Sequence, residues 1–318
     1  MKSFISSHDV ADIPALLDLA LRYKNNPLAD KTIGAGKRLG LIFMNPSLRT
    51  RISTQIAGQN LGMDSYVLNV GTDNWQLEFE EGSVMNGSTV EHIKDAAPIF
   101  GEYFDIIGLR TFPGLKDRSL DYKEHVISNL QKYSGIPVLS LESATLHPLQ
   151  SLTDLITIKE NWKSGKKPKV VMTWAPHIKP IPQCVANSFA QWVNAWGEAE
   201  FVITHPEGYE LNKEFTEGAE INHDQSKALE GADFVYVKNW SSYADYGKVL
   251  TSGDGWMLTK DHMSFTNQAH TMHCLPVRRN VELSDEILDH SNCLTTDQAA
   301  NRVWAAQAVL SELLRGKS

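Results

Sequence analysis

Eight short runs of apolar and β-branched residues, most of them followed by a longer stretch of helical periodicity, constrain this chain more than any other feature of it. They are "RLGLIFM", "SYVLNV", "FDIIGLR" and "IPVLSL" in the first half and "KVVMTW", "AEFVITH", "DFVYVKN" and "TMHCLP" in the second. A strand that is apolar on both sides must be covered on both faces, and intervening helices supply that cover. The pattern therefore predicts an α/β fold with parallel sheets. Four such runs in each half of a 318-residue chain predict two domains, each with a central parallel sheet flanked by helices. Residues 1–145 are expected to form the first domain and residues 146–296 the second, with the helix of residues 297–318 packing back on the first. Helices are expected over "VADIPALLDLALRYK", "STVEHIKDAAPIFGEYF", "SLTDLITIKENW" and "VLSELL".

Composition narrows the function. Apolar residues make up 42 % and charged residues 21 %, as in a globular chain, and a formal net charge of −8 argues against nucleic acid as a partner. No apolar run is long enough to cross a membrane, and the first residues lack the apolar core of a secretory signal. Three widely spaced cysteines, Cys184, Cys274 and Cys293, fit a reducing cytoplasm rather than a disulfide framework. No pair of Cys or His has metal-ligand spacing, so neither a metal nor another cofactor is expected.

Ligands of open α/β sheets bind beyond the carboxyl ends of the strands, and the unusual residues of this chain fall there. The segments "NPSLRT", "RTFPG", "ESATLHPLQ", "APHIKPIPQ", "KNWSS" and "CLPVRRN" carry Arg, His, Glu, Gln and Cys. Ordinary surface loops favour Gly, Asp and Lys. Ser47, Leu48, Arg49 and Thr50 open a helix, where free N–H groups and the helix dipole attract an anion. Arg49 and Arg51 carry the wrong charge for that helix end unless a dianion offsets it; a serine cap with solvated arginines is the alternative. Arg110 reads equally as an anion ligand or as the partner of an acid. His147, just before Pro148, reads equally as a site residue or a helix cap. No glycine-rich nucleotide turn follows a strand, which leaves a hydride-transferring α/β enzyme without support.

With "SLRTR", "HPLQ" and "HCLPVRR" present together and in this order, the chain resembles the aspartate/ornithine carbamoyltransferase family over essentially its whole length. The resemblance implies an enzyme of arginine biosynthesis that uses carbamoyl phosphate, assembled as a homotrimer with sites shared between subunits. It assigns Ser47, Leu48, Arg49 and Thr50 to the phosphate, with Arg302 of "AANR" closing that site. Arg110, His147 and Gln150 orient phosphate and carbonyl, and Cys274 and Leu275 contact the carbamoyl group. The segment "VGTDNWQLEFEEGSV" resembles the branch acting on N-acylornithines, in which the residue matching Trp75 reaches a neighbour's site; a Trp lying over its own domain is the alternative. The basic loop of the aspartate enzymes is missing, and "KNWSSYADYGKVLTSGDGW" lacks the Ser-Met-Gly of the ornithine enzymes. Implied acylornithine contacts are Glu142, His177, Lys238 and Arg278, with Phe112 along the alkyl chain, although Glu142 also reads as the partner of an arginine. The Pro-rich "APHIKPIPQCVANS" resembles a loop that is threaded into a knot in that branch.

The acyl group turns on two departures. Enzymes of the acetyl branch carry Glu before "EHI", where this chain has Val90, and often a carboxylatable Lys where it has Glu282. Succinyl adds a carboxylate that acetyl lacks, and a nearby Glu would repel it by about 1–4 kcal/mol at close contact. Val90 removes the repulsion without adding attraction, so Lys179, Lys238 or Arg278 would have to hold the carboxylate. A neutral surface change at Val90 is the alternative. The expected substrate is N-succinylornithine, with N-acetylornithine as the alternative and a non-catalytic anion sensor as the alternative from another class. Cys274 has the chemistry of a nucleophile, but a contact role is expected, and no Ser-His-Asp arrangement is apparent.

Overall fold

Strands β1 (Arg38–Phe43) and β2 (Asp64–Asn69) pair in parallel, and the two-residue strands β3 (Leu77–Glu78) and β4 (Glu91–His92) pair with each other. Strands β5 (Ile106–Arg110) and β6 (Val138–Glu142) complete a four-stranded parallel sheet in the order β2-β1-β5-β6. A second parallel sheet contains β7 (Lys169–Trp174), β8 (Glu200–Thr204), β9 (Glu220–Asn222), β10 (Phe234–Lys238) and β11 (His270–Met272), in the order β11-β10-β7-β8-β9. The computed structural model describes residues 1–250 and 255–316. It divides them into one unit of residues 1–114, 119–149 and 302–316 and another of residues 115–118 and 150–301.

Strands β1, β5, β6, β7 and β10 are buried along nearly their whole length, as their continuous apolar runs require, whereas β2 and β9, each at one edge of its sheet, are partly exposed. In the first unit Ile42, Ile107, Leu109 and Val138 meet Ile93, Ala97, Ile127 and Leu130 from the covering helices. In the second, Val171, Val202, Val235 and Val237 meet Ala228, Leu229 and Ile287. The last helix, Thr295–Arg315, is held on the first unit from Arg302 onward. Gln307 bonds Asn60 and the Pro27 carbonyl, and Tyr23 donates to Ser311 at 2.8 Å.

Three sequence expectations need correction. The second sheet gains β9, a three-residue polar edge strand that has no hydrophobic alternation to reveal it. The helix expected from Ser88 begins only at Ile93, so Val90 lies on extended chain leading into β4. Strand β11 ends at Met272, which places His273 to Pro276 in a turn where Leu275 adopts φ 53°.

Each sheet reverses its strand order once. The first reverses between β1 and β5, whose ends lie level at Phe43 and Arg110; the second reverses between β7 and β10, level at Trp174 and Lys238. Such reversals open a crevice at the carboxyl ends, so each unit presents its own binding position.

Candidate active site

The loop after β1 runs straight into the helix Arg49–Asn60. Leu48 precedes that helix and has no side-chain cap bond to offer; instead Ser47 Oγ accepts the Thr50 N–H at 3.3 Å. Thr50 is buried, and two guanidinium groups converge on its hydroxyl. Arg110, at the end of β5, donates from Nη1 at 3.2 Å, and Arg302, from the last helix, donates from Nη2 at 2.5 Å. Two donors fill the acceptor capacity of that oxygen, which leaves its own proton to donate onward. Arg49 is half-buried beside them on the first helical residue, and Leu48 is 69 % exposed. Cations gathered at the positive end of a helix are destabilising unless an anion joins them.

Arg110 is held from the other side by Glu142, whose Oε2 lies 3.1 Å from Nη1 and 3.6 Å from His147 Nε2. A register irregularity between β5 and β6 at Arg110 aligns it with Glu142. The structure thus gives Glu142 the arginine partner that its sequence context allowed. Phe112 packs its ring 4.7 Å from the Arg110 guanidinium, and Asn45 Oδ1 accepts the Phe112 N–H at 2.8 Å. His147 is buried at the start of the helix Pro148–Asn161.

The loop before His147 is tied down by Glu124. Its carboxylate accepts from Ser143 Oγ and the Thr145 N–H, both at 2.6 Å, from Thr145 Oγ1 at 2.5 Å and from the Ala144 N–H at 3.2 Å. Glu124→Gln replaces one acceptor with a donor facing donors. Hydrogen bonds to a charged group contribute about 1.5–3 kcal/mol each, so a loss of about 2–3 kcal/mol in urea unfolding is expected. An unchanged midpoint would show that the loop is held some other way.

Trp75 and Val90 are presented together by the β3–β4 ladder. Val90 N–H donates to the Gln76 carbonyl at 3.0 Å, and Trp75 Nε1 donates to Glu91 Oε2 at 2.8 Å. Both side chains are exposed, Trp75 by 53 % and Val90 by 63 %.

In the second unit Gln150 and Gln298 both donate to Asp154 Oδ1, at 2.7 and 2.6 Å, and Gln298 Oε1 accepts the His273 N–H at 2.9 Å. The turn of Cys274 and Leu275 is therefore anchored at its first residue. It is anchored again by a buried relay: Leu275 N–H donates to His273 Nδ1 at 2.9 Å, so Nε2 carries the proton that Glu282 Oε2 accepts at 2.8 Å. Glu282 Oε1 takes the Arg278 N–H at 2.9 Å. These bonds hold Leu275 in a left-handed conformation that its side chain disfavours. Lys238 is buried and donates to Asn239 Oδ1 at 2.9 Å. Arg278 Nε donates to His177 Nε2 at 3.1 Å, and His177 Nδ1 lies against the Lys179 backbone, 2.9 Å from its carbonyl and 3.1 Å from its N–H. His177 and Lys179 line a small recess with Trp174, Asn239 and Trp240.

Burial pushes the Glu282 carboxyl upward, but the His273 hydrogen bond and the positive charge of Lys238 hold it below its ordinary value of 4.5. A carboxyl with a depressed native pKa stabilises the fold fully above its unfolded value, and that stability is lost as pH falls through the native value. Stability should therefore decline below about pH 4.5 through this group, and Glu282→Gln should flatten that part of the curve. Parallel thermal-melting profiles of the two proteins against pH would exclude this role.

The sequence missed Asp154, Gln298 and the His273–Glu282 contact. Only Asp154 left a local sign, four residues after Gln150 on one helix face.

Comparison with known proteins adds three findings. Residues 2–160 match the family model described as the aspartate/ornithine carbamoyltransferase carbamoyl-P binding domain, and residues 183–313 match the Asp/Orn binding domain of the same family. The N-succinylornithine carbamoyltransferase of Bacteroides thetaiotaomicron is 46 % identical over 318 residues, covering 99 % of both chains; that of Bacteroides fragilis is 47 % identical over 316 residues, again covering 99 % of both. Among solved structures, a variant of N-acetyl-L-ornithine transcarbamylase in which one Glu is replaced by Val, complexed with carbamyl phosphate and N-succinyl-L-norvaline, superposes with a TM-score of 0.91. It is 33 % identical, with 98 % of this chain and 100 % of that chain covered.

Proposed function

The chain belongs to the aspartate/ornithine carbamoyltransferase family, and from that premise we propose that it transfers the carbamoyl group of carbamoyl phosphate to the δ-amine of N2-succinyl-L-ornithine, releasing N2-succinyl-L-citrulline and phosphate. The observation that carries the reading is the convergence of Arg110 and Arg302 on Thr50 Oγ1 at a helix N-terminus, a concentration of donors and positive charge suited to a phosphate dianion.

In this reading Ser47, Leu48, Arg49, Thr50 and Arg302 bind the phosphate. Arg110 and His147 draw electron density from the carbonyl oxygen, and Gln150, Cys274 and Leu275 fix the carbamoyl group. The rigid supports of Gln150 and of the Cys274–Leu275 turn suit that duty, because preorganised donors lower the barrier without reorganising. The δ-amine resembles lysine, near pKa 10 in water, and must lose a proton before it attacks. Desolvation among the cations Lys238 and Arg278 favours the neutral amine. Its lone pair forms the new C–N bond, the C–O bond to phosphate breaks, and the departing phosphate takes the amine proton. No protein base is required, and Cys274 serves as a contact rather than a nucleophile.

His177, Lys238, Arg278 and Phe112 are assigned to acylornithine, with Glu142 acting through Arg110. The succinyl carboxylate is assigned to Lys179, Lys238 or Arg278. Succinyl over acetyl is supported by the 46–47 % identity to two N-succinylornithine enzymes and by Val90, where the acetyl branch carries Glu. The Glu-to-Val variant of an acetylornithine enzyme complexed with N-succinyl-L-norvaline is consistent with the same logic. A homotrimer in which Trp75 completes a neighbour's site is supported by the exposed apolar group of Trp75, Val84, Met85 and Val90. A knotted Pro-rich loop is supported by Ser241 and Gln183, which bond across between Ile181 and the chain after β10. Incubating the purified chain with carbamoyl phosphate and N-succinylornithine should yield N-succinylcitrulline and phosphate in equal amounts. Binding of carbamoyl phosphate with no product would favour the anion sensor.

A further inference from the structure

His205 and His223 stand eighteen residues apart and show no ligand spacing along the chain, yet the fold sets them side by side. Strands β8 and β9 run parallel with Thr204 level with Asn222, and the next residue of each is a histidine. The two rings lie with centroids 4.9 Å apart, nearly perpendicular, and His205 also rests edge-on against Trp240. Both rings have their orientation fixed by backbone. His205 Nδ1 is 2.8 Å from the Pro206 carbonyl, and His223 Nδ1 is 3.0 Å from the His205 carbonyl. A carbonyl only accepts, so each Nδ1 carries the proton and each Nε2 presents its lone pair. That is the arrangement of metal-ligating histidines, whose second nitrogen donates to a carbonyl or carboxylate. Glu210, on the loop after β8, supplies a carboxylate, and one donor atom from each of the three residues lies within 4.8 Å of the others.

We propose that His205, Glu210 and His223 form a binding site for one divalent transition-metal ion of the zinc class. Two imidazole nitrogens and one carboxylate suit zinc, with water in the fourth position, and suit magnesium or calcium poorly because those ions select oxygen. Zinc bonds of about 2.1 Å require donors about 3.4 Å apart in a tetrahedron. His205 and His223 are held by their backbone partners, while Glu210 is exposed and can close on them by side-chain rotation. The ion would staple the short edge strand β9 to β8.

The test uses the full-length protein after treatment with EDTA. Titration with zinc chloride against a chromogenic chelator should give one equivalent bound and a raised thermal midpoint. Cobalt chloride should give a tetrahedral spectrum without thiolate absorption, which separates this site from the chain's three cysteines. His223→Gln and Glu210→Gln, both at exposed positions, should each weaken zinc at least tenfold while leaving carbamoyl transfer unchanged. Zinc binding absent from the parent chain, or surviving either substitution with less than a tenfold loss, overturns the site.

Discussion

Arg110→Met is expected to lower kcat/KM for carbamoyl phosphate by about a hundred- to a thousandfold, the range seen when one donor to a developing oxyanion is removed. Arg110 is bonded to Thr50 Oγ1 and paired with Glu142, so its planar fork lies between the helix N-terminus and the strand end. Met keeps the length and the apolar stem but neither donates nor carries charge. The substitution also leaves the buried Glu142 without its arginine, and breaking a buried pair costs about 3–5 kcal/mol of stability. The double variant Arg110→Met with Glu142→Gln separates the two effects. It should recover much of the lost stability and none of the lost turnover. Recovery of turnover in the double variant would mean that Arg110 serves the fold and not the transfer.

The second large effect is expected at Val90. Val90→Glu should reduce kcat/KM for N-succinylornithine by about fivefold to several hundredfold, the consequence of about 1–4 kcal/mol of repulsion between carboxylates at close contact. The value for N-acetylornithine should change little. The existing Glu91 does not create that repulsion on its own: its carboxylate is engaged by Trp75 Nε1, and successive residues of extended chain point to opposite sides. A loss of equal size on both substrates would indicate that the β3–β4 loop has been disturbed rather than its charge.

Arg110, Val90 and the elements that hold them were unevenly legible in the sequence. The buried strands could be read because both faces are covered and every residue of β6 and β10 is buried, so the apolar runs are unbroken. Strand β9 could not be, because an exposed three-residue edge such as Glu220–Asn222 carries no burial signal. The strand-end position of Arg110 was equally legible, since a charged residue closing an apolar run marks where a buried strand surfaces. What it touches was not. Thr50 lies sixty residues away and Arg302 a further 252 from Thr50, and only the fold brings them to one oxygen. Asp154 meets Gln298 across 144 residues for the same reason. The pairing of His205 with His223 is set by strand register, a quantity that single-sequence spacing does not contain.

The central claim is the succinyl-specific carbamoyl transfer, and steady-state kcat/KM with N-succinylornithine, N-acetylornithine and ornithine at saturating carbamoyl phosphate addresses it directly. The account predicts a value for the succinyl substrate at least tenfold above the acetyl one, with free ornithine lower still. Equal values, or a preference for acetyl, would contradict it.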